Sequence, residues 1–126
     1  MFGALAQAVE ELEVPVDPSA LTEVWALVDR LTAKATLAAA TFDEHELWDV
    51  DGDTSMTAWL RHHPGMTSRD AAVVTRNARR LRCAPITAAA WLAGALAGGQ
   101  VAAVVANVRE ETAELWAQHE SAVLGC

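Results

Sequence analysis

Cysteine is scarce in this chain, whose 126 residues include only Cys83 and Cys126. Two cysteines so far apart in sequence form neither a framework of several disulfides nor a Cys-x-x-Cys metal site. The N-terminus lacks the basic start of a signal peptide, because its first charged residues are Glu10, Glu11 and Glu13. These absences argue against a disulfide-rich secreted domain, and we expect a reducing, cytoplasmic location.

Long hydrophobic stretches are also few. Residues 83–108 carry no charge and are long enough to span a bilayer. The stretch is mostly alanine, which contributes little to membrane insertion, and Gly98, Gly99 and Gln100 interrupt it. We therefore predict two buried helices at this place and no membrane partner.

Strand patterns are missing throughout, whereas apolar residues recur at helical spacing. The apolar fraction of 52% argues against disorder, because it supplies enough apolar surface to offset the loss of chain entropy on folding. The sequence predicts an all-α bundle of six or seven helices that forms a single domain over residues 1–126.

One long helix is predicted to form the spine of this bundle, from about residue 18 to residue 47. Asp17 followed by Pro18 is a good helix start. A continuous apolar stripe then repeats at intervals of three and four residues. Its members are Leu21, Val24, Val28, Leu31, Ala35, Ala38 with Ala39, and Phe42.

Shorter helices are predicted on both sides of this spine. One covers residues 3–13, another residues 54–61, and a third begins after Thr67 with an inward face of Ala71, Val74, Ala78 and Leu81. Further helices are predicted at residues 85–96, from residue 100 onward, and at 110–124.

Charge is unevenly distributed, although the net charge is −8. Residues 1–53 carry twelve acidic and two basic residues, whereas residues 54–82 carry one acidic and six basic residues. A basic segment in an acidic protein either docks on the acidic half of the chain or contacts an external anion. The charge pattern leaves both alternatives open.

No catalytic, metal-binding or cofactor site emerges from the motifs. The acidic segment 49–54 fails as a calcium loop, because Thr54 and Leu60 occupy the positions of its glycine and its bidentate glutamate. It also lacks the buried strand that precedes the similar phosphatase motif of haloacid dehalogenases. We expect a solvated loop in which Asp53 or Thr54 caps the next helix, and an exposed turn at His62 and His63. We predict no enzymatic activity, no cofactor and no small-molecule substrate.

The pair of helices between residues 54 and 82 is the one arrangement with a functional interpretation. Two helices joined by a short Pro-Gly turn, the second rich in arginine, are typical of a helix-turn-helix. Four arginines lie opposite the inward face of the second helix and can contact phosphates or base edges. These candidate nucleic-acid-binding residues are Arg69, Arg76, Arg79 and Arg80. A solvent face with ordinary salt bridges is the alternative.

Several short motifs together resemble a known family. They are the helix around Leu31, Asp51-Gly52 before Ser55, Ala58-Trp59-Leu60, Thr67-x-x-x-Ala71, Ala78-x-x-Leu81, Pro85, and Gly94-x-Leu96 before Gln100. Over about residues 20–126 the chain resembles the actinobacterial 13E12 repeat family, whose shared region is domain of unknown function 222. Members commonly carry a C-terminal HNH endonuclease module with zinc-binding Cys-x-x-Cys pairs and a catalytic histidine. This sequence contains no such module.

The resemblance implies a helical domain of a DNA-acting family, and we expect the chain to be the N-terminal part of a longer member or a truncated copy. Our first hypothesis is a non-catalytic domain that contacts or positions duplex DNA through the four arginines. The second is a structural or protein-interaction bundle that forms homo-oligomers through the Ala/Gly-rich helices after Pro85.

Overall fold

The computed structural model describes residues 1–105, without the side chain of residue 105. Six α-helices and one 3-10 helix, Leu47–Asp51, make up this part of the chain, which contains no strand. The all-α prediction is therefore confirmed, while the helix expected at 110–124 lies outside the described residues. The α-helices are α1 Gly3–Glu11, α2 Pro18–Glu44, α3 Met56–His62, α4 Ser68–Leu81, α5 Pro85–Leu92 and α6 Gly98–Val105.

Helix α2 is the predicted spine, and its start follows from local sequence. The side chain of Asp17 accepts a hydrogen bond of 2.8 Å from the backbone N–H of Ala20, and Pro18 occupies the first turn. This cap satisfies one of the N–H groups that a helix start leaves unpaired. The helix ends at Glu44, three residues before the predicted end, where the chain turns into the 3-10 helix.

The face of α2 that packs on the rest of the bundle is not its most apolar face. Its buried residues are Ala33, Thr36, Ala40 and Asp43. None of them belongs to the stripe that runs from Leu21 to Phe42. The helix turns its small residues toward α4 and α5, and small side chains allow helix axes to approach closely.

Two apolar clusters form the core among the described residues. The first lies between α2, α4, α5 and α6 and contains Ala33, Leu81, Ala88, Trp91 and Val101. The second lies beneath α3 and contains Met56, Leu60 and Ala71, with aromatic side chains packed around it. The inward face predicted for α4 is confirmed, because Ala71, Ala78 and Leu81 are buried and Val74 is half-buried.

The α3–α4 connection is the turn that the sequence predicts. Gly65 adopts a φ of +77°, which residues with a side chain rarely do, and it follows Pro64 directly. Thr67 then caps α4, since its hydroxyl accepts a hydrogen bond of 3.1 Å from the backbone N–H of Asp70. A second hydrogen bond of 3.1 Å joins the hydroxyls of Thr57 and Thr75 and ties the two helices together.

The cap of α3 differs from the prediction. Ser55, not Asp53 or Thr54, accepts the capping hydrogen bond, which comes from the backbone N–H of Ala58 over 3.1 Å. Asp53 is instead engaged by two histidines. Within residues 1–105, no helix is both long enough and apolar enough to cross a membrane.

Candidate interaction surfaces

The apolar stripe of α2 is exposed along most of its length, and only Val24 and Phe42 in it are half-buried. Its apolar residues follow one another at alternating intervals of three and four over three heptads. We call them the α2 stripe: Leu21, Val24, Val28, Leu31, Ala35, Ala38 and Phe42. This is the spacing of a coiled-coil seam. Leu31 is 50% exposed, and the flanking Trp25 and Leu27 are 67% and 55% exposed.

Large side chains are concentrated in the first half of this surface. The stripe begins with four larger residues, Leu21, Val24, Val28 and Leu31. The small Ala35 and Ala38 follow, and Phe42 ends it. Exposed apolar patches of this extent on a soluble domain mark interaction sites. Helix α1, which has no buried residue, adds Leu5 and Val9 to the exposed apolar surface of the N-terminal region.

An apolar groove lies along the stripe from Val28 to Phe42. It has a volume of about 600 Å³ and is lined almost wholly by apolar side chains of α2, α3, the α3–α4 turn and α4. We call it the α2–α3 groove. Its lining includes Ala35, Ala38, Phe42, Trp59, Pro64 and Met66.

Aromatic contacts and hydrogen bonds hold the wall of the groove in place. The ring centroids of Phe42 and Trp59 are 4.6 Å apart, and the imidazole of His63 stacks on Trp59 at 4.8 Å. The indole N–H of Trp59 donates a hydrogen bond of 2.9 Å to Asp51. The groove is thus largely pre-formed, as binding sites usually are.

His62 and His63 are exposed, as predicted, but both contact one carboxylate. Nδ1 of His62 lies 2.6 Å from one oxygen of Asp53, and Nε2 of His63 lies 3.1 Å from the other. The hydrogen bond from His62 lowers the pKa of Asp53 from its ordinary value, although partial burial opposes the shift. The cluster closes the loop before α3 onto the end of that helix.

Among residues 1–105 no three His, Cys, Asp or Glu side chains lie close enough together to hold a metal ion.

The arginine face predicted for α4 is only partly free. Arg69 and Arg76 are exposed, Arg80 is half-buried, and within the described residues no carboxylate pairs with these three. Arg79 is different, because its Nε and Nη2 donate hydrogen bonds of 2.8 Å and 3.3 Å to Asp43 of α2. The four arginines therefore do not form one unpaired surface. In the case of Arg79, the basic segment docks on the acidic half of the chain.

Asp43 is the buried centre of a small polar network. It is 7% exposed and also accepts a hydrogen bond of 3.3 Å from the indole N–H of Trp48. Burial alone raises the pKa of Asp43, but the hydrogen bonds and positive charge of Arg79 outweigh it, so the pKa lies below the ordinary value of 3.8. The same partner raises the pKa of the Arg79 guanidinium. Arg79 is thus a structural residue that joins α4 to α2.

Asp29 forms a second network on the same helix. Its carboxylate accepts a hydrogen bond of 3.1 Å from the indole N–H of Trp91 and bonds of 3.0 Å from the backbone N–H of Gly98. Gly98 is the first residue of α6, so a side chain of α2 caps a helix that begins nearly seventy residues later. A Cβ at Gly98 would lie 2.5 Å from the carboxylate, and only glycine permits this approach.

Sequence reasoning missed the roles of Asp29 and Asp43. Both lie on the face of α2 that carries the buried alanines, whereas the sequence pattern pointed to the stripe as the packing face. The signal that could have identified them is an acidic residue spaced with the buried alanines Ala33 and Ala40. Their partners, however, are distant in sequence.

Comparisons of the chain with models of protein families, with curated proteins and with solved structures find no match of any of the three kinds. Membership of the 13E12 repeat family therefore stays a prediction from the sequence motifs. The arguments for function that follow depend on the geometry of the two surfaces described above.

Proposed function

We propose that this chain is a non-catalytic helical interaction domain that associates with a protein partner through the α2 stripe. The observation that supports the proposal is the exposure of a heptad-spaced apolar seam on a helix that packs on the bundle through a different face. A partner helix that covered the seam would remove Leu31, Val28 and Trp25 from water. Complete burial of one such side chain is worth about 1.5–3 kcal/mol.

Helix α2 uses one face to pack on the bundle and leaves another face free for a partner. The helix packs on the bundle through Ala33 and Ala40 and through the hydrogen bonds of Asp29 and Asp43. The stripe therefore lies on the outer side. Because Leu21, Val28 and Leu31 are exposed and belong to neither core cluster, substitutions of these residues are expected to alter association without unfolding the domain. The stripe is therefore a surface whose function can be tested by itself.

Site-specific photo-crosslinking in native cells tests this function. A photoreactive phenylalanine replaces Leu31 in the stripe or, as the matched control, Glu44, which is exposed on the side of the same helix away from the stripe. The proposal predicts a discrete protein adduct from position 31 and none from position 44. The absence of any adduct from position 31 would contradict it.

A second candidate function, contact with duplex DNA, is favoured by Arg69, Arg76 and Arg80. Their guanidinium groups lie on one helix without a carboxylate partner among the described residues, which is the arrangement that phosphate contacts require. The resemblance to a family with nuclease modules supports the same proposal. Arg79 is not part of this candidate site, since Asp43 holds its guanidinium group.

Fluorescence anisotropy with a duplex DNA probe tests the second candidate. The triple variant Arg69→Gln, Arg76→Gln and Arg80→Gln is expected to lose affinity at low salt, whereas Arg30→Gln on α2 serves as the control and retains it. Failure of the unmodified chain to bind duplex DNA at low salt would remove this function. The measurement is independent of the crosslinking experiment.

A further inference from the structure

We infer that the partner of the α2 stripe is a second copy of this chain, packed antiparallel so that Leu31 and Val28 of each copy face Ala35 and Ala38 of the other. The inference rests on the proposed function and specifies its partner. A two-fold interface uses the same patch on both subunits, so the patch must complement itself. The α2 stripe has the two halves that such an interface needs.

The heptad spacing determines the register. In an antiparallel pair, the two alternating seam positions of one helix face each other across the interface. Centred between residues 31 and 35, this pairing sets Leu31 against Ala35, Val28 against Ala38 and Val24 against Phe42. Each alanine then has a larger aliphatic side chain opposite it, as close packing across an interface requires.

The α2–α3 groove supports the same arrangement. In this register the N-terminal part of the partner's helix lies over the C-terminal half of α2, where the paired rings of Phe42 and Trp59 line the groove. The bulky Trp25, which is prominently exposed, thereby approaches a pre-formed apolar concavity of about 600 Å³. Bulk on one copy and a concavity on the other are the complementarity that a second copy supplies.

A parallel pair would not bring these complementary surfaces together. It sets Leu31 against Leu31 and Ala35 against Ala35, so the helices would be wedged apart at one end and leave a gap at the other. The groove would remain empty in both subunits. The antiparallel pair is therefore the arrangement that fills the surface.

The positions that flank the stripe also suit an apolar interface. They are Trp25, Leu27, Thr32, Lys34, Ala39 and Thr41, of which only Lys34 is charged. Its long side chain reaches solvent past the seam.

Photo-crosslinking of an isotope-mixed sample tests the partner and its direction together. The unlabelled chain carries a photoreactive phenylalanine in place of Val28 and is mixed with an unmodified chain labelled with ¹⁵N. Trypsin cleaves after Arg30, Lys34 and Arg61, so the two halves of the labelled stripe appear in different peptides. Only adducts to a labelled peptide report contacts between chains, which excludes contacts within one chain.

The proposal predicts an adduct between position 28 and the labelled peptide 35–61. An adduct to the labelled peptide 1–30 would overturn the antiparallel arrangement. If position 31 forms adducts in cells with proteins of another mass while the mixed sample forms no dimer, the second copy is overturned and the interaction function survives. If neither experiment gives an adduct, both proposals fail.

Sedimentation equilibrium supplies an independent measurement. Leu31→Glu places two carboxylates in the seam of each dimer, and we expect the dimer dissociation constant to rise about 100-fold or more. Ser19→Glu adds the same charge at an exposed position of α2 outside the paired segment, and as the matched control it leaves the dissociation constant unchanged. Circular dichroism verifies that both variants keep their helices, as expected for a residue that is already half-exposed. A monomeric unmodified chain at high concentration would overturn the inference.

Discussion

At the scale of the residue, Asp43 shows how one buried carboxylate joins two helices. Arg79 and Trp48 donate the hydrogen bonds that compensate the loss of water around it. Because these partners lower its pKa below 3.8, the ionised carboxylate stabilises the folded state. That stability is fully present above the ordinary pKa and is lost as the pH falls through the lowered one.

Replacement of this carboxylate therefore has a pH-dependent cost. We expect Asp43→Asn to lower the free energy of unfolding by about 1–2 kcal/mol at pH 7, a modest value because Arg79 is half-exposed. As the pH falls through the lowered pKa, the wild-type carboxyl group itself becomes protonated, so the difference should shrink. Urea denaturation over a series of pH values from 7 downward measures it, with the exposed Glu44→Gln as control. A difference that did not depend on pH would contradict the ionic role of Asp43.

At the scale of the element, α2 separates what sequence predicts from what it does not. The start of the helix was predictable because Asp17 and Pro18 act locally, and the inward face of α4 because that helix has one apolar side. The buried face of α2 was not. Its stripe is more apolar than the face that packs on the bundle. The packing face is determined by small residues and by the hydrogen bonds of Asp29 and Asp43 to residues that are distant in sequence.

In the candidate surfaces, too, local features were predictable from the sequence and contacts between distant residues were not. Arg69 and Arg76 were correctly placed on the exposed side of α4, since helical periodicity alone settles their direction. Arg79 was assigned to the same surface, yet it lies at the flank of the helix, where α2 brings Asp43 within reach. The α2–α3 groove was beyond sequence reasoning, because it exists only once α3 and its turn have packed against Phe42.

Helix α6 offers a prediction at this scale, because its cap comes from another element. Asp29→Ala removes the acceptor of both the Gly98 N–H and the indole N–H of Trp91, a side chain that is 3% exposed. We expect the free energy of unfolding to fall by about 1–3 kcal/mol and the first amides of α6 to exchange faster with deuterium. Lys34→Ala, an exposed change on the same helix, is the control. Unchanged exchange at α6 would show that the cap does not stabilise it.

At the scale of the whole molecule, the net charge of −8 opposes both proposed forms of association. Two copies of an acidic chain repel each other at long range, and so do the chain and duplex DNA. Close contact is favoured by different forces in the two cases. Apolar burial drives the pairing of stripes, whereas attraction between arginines and phosphates drives contact with DNA.

The two associations should therefore respond to salt in opposite directions. Screening of the repulsion between acidic chains lowers the dimer dissociation constant as the salt concentration rises, since the apolar seam itself needs no charge. For DNA, three phosphate contacts by Arg69, Arg76 and Arg80 imply a loss of affinity of about 40-fold between 50 and 200 mM salt. Sedimentation and anisotropy over the same salt series measure the two responses. A dimer that dissociated with added salt would show that ion pairs, and not the α2 stripe, hold the copies together.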